Sequence, residues 1–340
     1  MVSILANNYI KQGYAVDIVL LLSDNFKYNL DERIKVISYT KHNTNRLFQL
    51  PMWLSHIRRY VINNKPDCII SFLVKINLIS VLSCLGLKVN IVLSERNDPR
   101  HDGRSIPIII FSYLLYSCNI CKKIVFQTNY AMSCFPFNIR NKGNVIVNPI
   151  EVKLRRKSPI DKIIAVGRLS KEKNFQLLIK AFCIVVKKHP NHKLFIYGEG
   201  ELRKVLEHQI ELDGLDDKAF LPGQFNDIYE HMIDAQVFVL TSNHEGQSNA
   251  LLEAMAMGIP CITTNISGIN EIIQDGVNGI LVEKNNALEL SKRIIDLLGN
   301  EKLQFELSKN ALLTSERFKC ENVFNKWDKI IFECIERGEK

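Results

Sequence analysis

The sequence contains no D-x-D pair, the arrangement that would hold a divalent cation beneath a diphosphate, and Asp216-Asp217 has the wrong spacing. No G-x-G-x-x-G follows a first strand, which argues against a nicotinamide-dependent reductase. No apolar run is long enough to cross a bilayer. The longest, residues 106–116, falls short of the ~20 residues required; it reads as a packed helix, with interfacial membrane contact as the alternative. Lys11, Gln12 and Asp17 interrupt the first apolar residues, so no signal peptide is expected. No nucleic-acid-binding module is recognisable, and no such partner is expected. The nine cysteines are an odd number, and Cys68, Cys84, Cys183 and Cys261 lie in apolar contexts, which predicts a reduced, cytoplasmic protein. Cys118 and Cys121 form a C-x-x-C without a second ligand pair, so packing is expected there and not zinc. A doubly wound domain opens with a strand and a glycine-rich turn. Here a helical pattern comes first, and the first domain is expected to lack that strand and loop.

What is present fits two α/β domains: 340 residues, 46% hydrophobic and 24% charged. The net charge of +8 is uneven. Residues 1–150 carry 18 Lys/Arg and 8 Asp/Glu, hence +10, and the remainder is slightly acidic. Either this is a solvated basic surface, or the first half meets an anionic membrane or acceptor. Residues 2–12 read as a helix closed by Gly13. Strands are expected at 16–22, 68–72, 90–93, 124–126 and 145–147, with helices between them. Residues 1–150 form the predicted first domain. Residues 151–160 are the predicted linker, where Lys153, Arg155, Arg156, Lys157 and Pro159 follow the Asn148-Pro149 break. A second series, residues 161–318, predicts strands at 162–166, 193–197, 219–221, 237–240, 261–263, 271–273 and 280–282, and helices at 175–188 and 248–257. In residues 319–340, Val323, Phe324, Trp327, Ile330, Ile331 and Cys334 share one helical face, which predicts a helix crossing back to the first domain.

Four strings carry chemistry. In His244-Glu245-Gly246-Gln247-Ser248-Asn249-Ala250 and onward to Gly258, Ser248 is a good N-cap. Glu245 is then placed at the carboxyl edge of the sheet and Glu253 about a turn and a half into the helix. A carboxylate at 253 can accept two ribose hydroxyls, and the free amides of the helix start favour a diphosphate. Two solvated glutamates are the alternative. Gly167-Arg168-Leu169-Ser170-Lys171-Glu172-Lys173-Asn174 places two cations where they can offset charge on a departing nucleotide. Gly198-Glu199-Gly200 either admits a nucleotide to the sheet edge or makes a tight strand-to-helix turn, and both can hold. Gly268, in the Ser267-to-Glu271 turn, could lie beside a donor sugar or simply turn a loop. In the first half, Glu95 and Arg96 follow one strand and Gln127-Thr128 another. Glu95 and Arg96 are candidates for acceptor contacts, with a salt-bridged loop as the alternative. His56 and His101 are read as structural.

Taken in order, VGRLSKEKNF, YGEGELR, HEGQSNALLEAMAMGIPCITT and SGINEII resemble the retaining glycosyltransferases of family four over residues 160–285. SERNDP resembles bacterial members that build capsule, O-antigen or lipid-linked glycans. The resemblance implies a GT-B fold, two Rossmann-like domains facing a cleft, with the donor held mainly by the second. It implies that Arg168 and Lys173 bind the diphosphate, Glu253 the ribose and Glu245 the transferred sugar. Backbone groups near Asn249 and Ala250 would meet phosphate or sugar, with Gly198, Gly200 and Gly268 around them. No metal or cofactor is expected, a UDP-sugar being a substrate. The implied function is retaining transfer of a hexose or N-acetylhexosamine to a glycan or polyprenyl-diphosphate-linked acceptor, at the inner face of a bacterial plasma membrane. Many members carry a glycine-rich loop ahead of the helix at Val2, and a histidine where Arg96 and Asn97 stand. A catalytic histidine therefore has no counterpart here. A non-catalytic nucleotide-sugar-binding remnant or subunit, and a GT-B UDP-sugar epimerase, are the competing expectations.

Overall fold

The computed structural model describes residues 1–21, 29–40, 46–152, 154 and 157–336, with residues 46–48 described by backbone only. Lys153, Arg155 and Arg156 of the expected linker lie outside the described residues. The chain divides into two compact units. Met1–Pro149 with Glu321–Lys340 form the first, and Ile150–Cys320 the second. The linker residues that are described join the second unit: Ile150 N–H donates to the Phe318 carbonyl (2.8 Å), Lys157 to Ile233 (2.8 Å) and Ile160 to Asp234 (3.0 Å).

The first unit runs α1 (Val2–Lys11), β1 (Asp17–Leu20), β2 (Lys35–Ser38), α2 (Arg46–Asn64), β3 (Cys68–Phe72), α3 (Val74–Cys84), β4 (Asn90–Ser94), α4 (Ile106–Ser117), β5 (Cys121–Phe126), α5 (Asn129–Ser133), α6 (Phe137–Arg140) and β6 (Gly143–Val145). Strands β3-β4-β5-β6 form one parallel sheet, and β1 and β2 a separate parallel pair. Strand β2 is absent from the expectations because it is short and largely exposed, so no apolar run announces it. The strand expected at 145–147 starts two residues earlier, pairing Gly143 with Ile124. One sheet face packs on the last helix of the chain: Leu5, Val92, Val125 and Ile146 cluster with Val323, Trp327, Ile330 and Cys334. This is the single apolar stripe of that helix, which belongs by its contacts to the first unit. Trp327 is fully buried.

The second unit runs β7 (Lys162–Val166), α7 (Phe175–Lys188), β8 (Lys193–Tyr197), α8 (Arg203–Leu212), β9 (Ala219–Gly223), α9 (Ile228–Met232), β10 (Val237–Leu240), α10 (Asn249–Met257), β11 (Cys261–Thr264), β12 (Ile280–Val282), α11 (Ala287–Leu298) and α12 (Glu301–Ser315), before α13 (Cys320–Glu336). Its sheet order is β12-β11-β10-β7-β8-β9, all parallel. The apolar strands are buried from both sides. On one, Leu178, Phe182 and Val185 of α7 pack with Leu290, Ile294 and Leu297 of α11. Residues 271–273 are not a strand. Ile269, Ile272 and Ile273 are linked by turn hydrogen bonds, with Ile272 and Ile273 donating to the Ile269 carbonyl (both 2.8 Å). The apolar spacing at 266, 269, 272 and 273 is helical, not alternating, and that periodicity sets the local backbone.

Candidate functional site

The order of the second sheet reverses at β7. The chain steps outward through β8 and β9, then returns to lay β10 on the other side of β7. Open α/β sheets bind ligands outside the carboxyl ends of the strands at such a switch point. The loop after β7, residues 167–174, and the loop after β10, residues 241–248, meet there. Thr241 Oγ1 donates to the Lys173 carbonyl (2.9 Å), Asn243 N–H to Glu172 (2.8 Å), and Asn243 Nδ2 to Lys171 (3.0 Å). Asn174, in the left-handed region at φ 49°, reaches from its Nδ2 to Asn243 (3.2 Å) and Asn285 (3.1 Å).

This stitching brings Lys173 and Glu245 together. Their ammonium and carboxylate are in direct contact, and Ser242 Oγ donates to the same Glu245 oxygen at 2.9 Å. Both side chains are largely buried, at 20% and 14% exposure. The cation is therefore held at a fixed position in a partly dry site, where it is more effective than in water. Arg168 lies exposed on the same loop, with no ion-pair partner among the described residues.

The glycines are explained by close backbone approach. Gly198 sits at φ +141°, and a Cβ there would fall 1.9 Å from the Gly167 carbonyl oxygen. A Cβ on Gly200 would fall 2.4 Å from the Leu169 oxygen. The loops after β7 and β8 are hydrogen-bonded together, Gly167 N–H to Tyr197 O and Leu169 N–H to Glu199 O (both 2.9 Å). These two glycines thus let one loop lie against the other. Gly268 does the same for the Glu245 loop: a Cβ would meet the carbonyl oxygens of Glu245 and Gly246, each at 2.4 Å.

Helix α10 starts as its sequence dictates. Ser248 is the N-cap, its Oγ accepting from Leu251 N–H (3.5 Å), with Asn249 and Ala250 in the first turn. Glu253 lies one turn further on. Tyr229 Oη donates to its Oε1 at 3.2 Å. Burial outweighs that hydrogen bond and pushes the Glu253 carboxyl up from 4.5 to about 7. No sequence pattern announces Tyr229, which stands on a helix of five residues with no motif of its own. Thr241 and Ser242 did leave a signal: a polar pair directly after four buried apolar residues, at the carboxyl end of a strand.

In the first unit the expectation for Glu95 is overturned. Its side chain is 2% exposed, bound to Arg104 (3.1 Å) and accepting from Tyr116 Oη. No acceptor can reach it, and the salt-bridged alternative holds. Burial raises the Glu95 pKa, opposed by Arg104. Arg96 lies over the neighbouring rings of Phe72 (5.4 Å) and Trp327 (5.6 Å), with Nη1 donating to Asn148 Oδ1 (3.0 Å). Gln127 Nε2 donates to the same oxygen (3.0 Å), and Thr128 caps α5. His101 contacts Asp98 (2.8 Å) and His56 packs edge-on to Tyr39.

Residues 149–313 match the family model of the glycosyl transferases group 1. A chain named as an uncharacterized glycosyltransferase of Haemophilus influenzae is 27% identical, over 96% of this chain and 93% of that one. A Campylobacter jejuni α-1,4-N-acetyl-D-galactosaminyltransferase, named for a diNAcBac-PP-undecaprenol substrate, is 24% identical over 97% of this chain and 93% of its own. Among solved structures, Anabaena HepE in complex with UDP-glucose superposes with a TM-score of 0.80 at 18% identity, covering 98% of this chain and 94% of that one. Sucrose-phosphate synthase from Thermosynechococcus elongatus gives 0.80 at 15%, covering 97% and 91%. The fold is GT-B.

Proposed function

We propose that this chain, whose residues 149–313 match the model of the group 1 glycosyl transferases, is a glycosyltransferase that moves a hexose or N-acetylhexosamine from a UDP-sugar to a glycan or polyprenyl-diphosphate-linked acceptor in bacterial surface polysaccharide synthesis. The observation that carries this reading is the Lys173–Glu245 contact at the switch point, with Arg168 on the same loop and the α10 start beside it. Arg168, Lys173 and the positive end of the α10 dipole near Asn249 and Ala250 take the diphosphate charge, so transfer needs no metal. Glu253 accepts from the ribose hydroxyls. Glu245, fixed by Lys173 and Ser242, orients the sugar and supports positive charge as the anomeric bond stretches.

We assign no side chain of the second-unit site as a covalent nucleophile. The C1–O bond to the diphosphate breaks while a C1–O bond to the acceptor forms on the same face, and the departing phosphate oxygen takes the acceptor proton. The products are UDP and an α-linked glycoside, with configuration retained from an α-linked donor. Proton NMR of the freshly formed product should show the small anomeric coupling of an α-linkage; the large coupling of a β-glucoside would remove the mechanism. The undecaprenol-linked substrate in the name of the Campylobacter enzyme supports the lipid-linked acceptor, and a place at the inner face of the membrane is the corollary we draw from such an acceptor. An epimerase would consume UDP-sugar with no acceptor present, and a non-catalytic subunit would bind UDP without transfer.

The raised Glu253 carboxyl sets a pH dependence. Unfolded, it ionises near 4.5; folded, near 7. The folded state therefore binds the extra proton, and its stability falls as pH rises from 4.5 to 7. The loss is about 3 kcal/mol, since each pH unit in that interval costs ~1.4 kcal/mol. Glu253→Gln removes this penalty, so its melting temperature at pH 8 should exceed that of the unmodified protein. The same change should weaken UDP binding, which in the unmodified protein strengthens from pH 6 to pH 8 as the carboxylate forms. Scanning calorimetry and titration calorimetry read both, and an unchanged melting temperature with unchanged affinity would separate Glu253 from the ribose.

A further inference from the structure

Helix α4 is uncovered along one side. It carries no charged residue from Ile106 to Ser117. Ser112, Leu115 and Tyr116 face inward. Ile106, Ile110 and Leu114, spaced by four on one stripe, are 73%, 56% and 64% exposed, with Phe111 beside them at 42%. Exposed apolar residues elsewhere stand among charges, as Phe305 does beside Glu306 and Lys309. A contiguous exposed stripe without polar relief marks an interaction surface. Helix α6 extends it. Asn138 Nδ2 donates to Ser117 Oγ (2.7 Å), setting α6 at the end of α4, and exposed Phe137 lies under the Arg140 guanidinium at 6.0 Å.

Charge selects the occupant. Residues 103–150 contain five Lys/Arg and no Asp or Glu. Arg104 is engaged by Glu95 and Asp102, and Lys123 by Glu333. Lys142 Nζ donates to the carbonyls of Tyr116, Ser117 and Cys118 (2.8–3.1 Å), which places a positive charge at the last turn of α4. Arg140 is exposed beside it. A second copy would bring cations against cations. An anionic bilayer matches both parts, the aliphatic stripe entering the acyl boundary and exposed Arg140 meeting lipid phosphates, with the charge of Lys142 behind it. With 12 residues α4 is ~18 Å long, too short to span and suited to lie flat. The geometry points to α4 and α6 as the face that seats the protein on an anionic lipid surface. This seat rests on the first unit alone, and stands or falls independently of the donor site and of the proposed acceptor.

The test is flotation of the full chain with vesicles of phosphatidylcholine alone or with 30 mole per cent phosphatidylglycerol. Binding should require phosphatidylglycerol and weaken with salt. The double change Ile110→Glu with Leu114→Glu should lower partitioning about tenfold or more, at an unchanged melting temperature and unchanged transfer to a water-soluble acceptor. Phe305→Glu, on the other unit, should bind as the unmodified protein does. Phe111→Trp should shift its emission to the blue on vesicles, against the two native tryptophans, which are both buried. Equal partitioning of the double variant, or no preference for phosphatidylglycerol, overturns the proposal. A dimer in lipid-free solution that the double variant dissociates would assign the stripe to a second copy and overturn it as well.

Discussion

Lys173→Ala is expected to lower kcat/KM for sugar transfer by about 10²–10³, while the protein melts within a few degrees of its normal temperature. The ammonium is held against Glu245 in a site both side chains largely close off from water. A cation fixed there is placed before the diphosphate charge develops, so its removal is felt in the chemical step more than in ground-state binding. The loop should survive, because its attachment is through backbone: the Lys173 carbonyl accepts from Thr241, and Glu172 and Lys171 carbonyls from Asn243. Glu245 keeps its bond from Ser242. Lys173→Arg should recover little, since a planar fork cannot occupy the place of a compact ammonium. Steady-state kinetics with a defined UDP-sugar and acceptor measure the loss; turnover within twofold of normal would place Lys173 outside the reaction.

The largest loss of stability should come from Gly198→Ala. A methyl group at 1.9 Å from the Gly167 oxygen cannot be accommodated by a rotamer change, because the obstructing atom is backbone. The residue also sits at φ +141°, a conformation an L side chain rarely adopts. Relief would require parting the hydrogen-bonded loops after β7 and β8. A cost of at least ~3 kcal/mol follows, or about 6–12 °C in melting temperature for a unit of this size. Transfer should fall with it even below the melting point, since Arg168 rides on the loop that must move. By contrast Gly214→Ala, where nothing lies within 4 Å, should cost only the strain of its φ of +64°. Similar melting temperatures for the two variants would show that the two loops are not packed as described.

Much of the second unit was legible because its strands are buried on both faces. Residues 162–166, 193–197, 237–240 and 280–282 announce themselves as short apolar runs, and all four are strands. Ser248 announced the start of α10 by its hydroxyl. The residues gathered at the switch point were named from their strings, but two things were not readable. The pairing of Lys173 with Glu245 joins positions 72 residues apart, and no local pattern encodes it. The two glycines after β8 are compatible in sequence with nucleotide access and with a tight turn, and nothing in the string shows that the loop after β7 packs against them. In the first unit, β2 escaped notice because largely exposed residues give no apolar signal, and Glu95 stayed open between an acceptor contact and a salt-bridged loop because its partners Arg104 and Tyr116 lie 9 and 21 residues downstream.

The six strands of the second unit form one unbroken ladder, but in the first unit the ladder stops at β3, and β1 and β2 pair only with each other among the described residues. A parallel strand with one bare flank leaves amides without a carbonyl to guard them. Deuterium should therefore enter Asp17–Leu20 and the outer side of Cys68–Phe72 early, well before Ile91, Val92 and Leu93. By the same rule β12 and β9, at the rims of the second sheet, should yield their amides before β10 and β7 at its centre, so each half of the molecule would fray from its own rims inward.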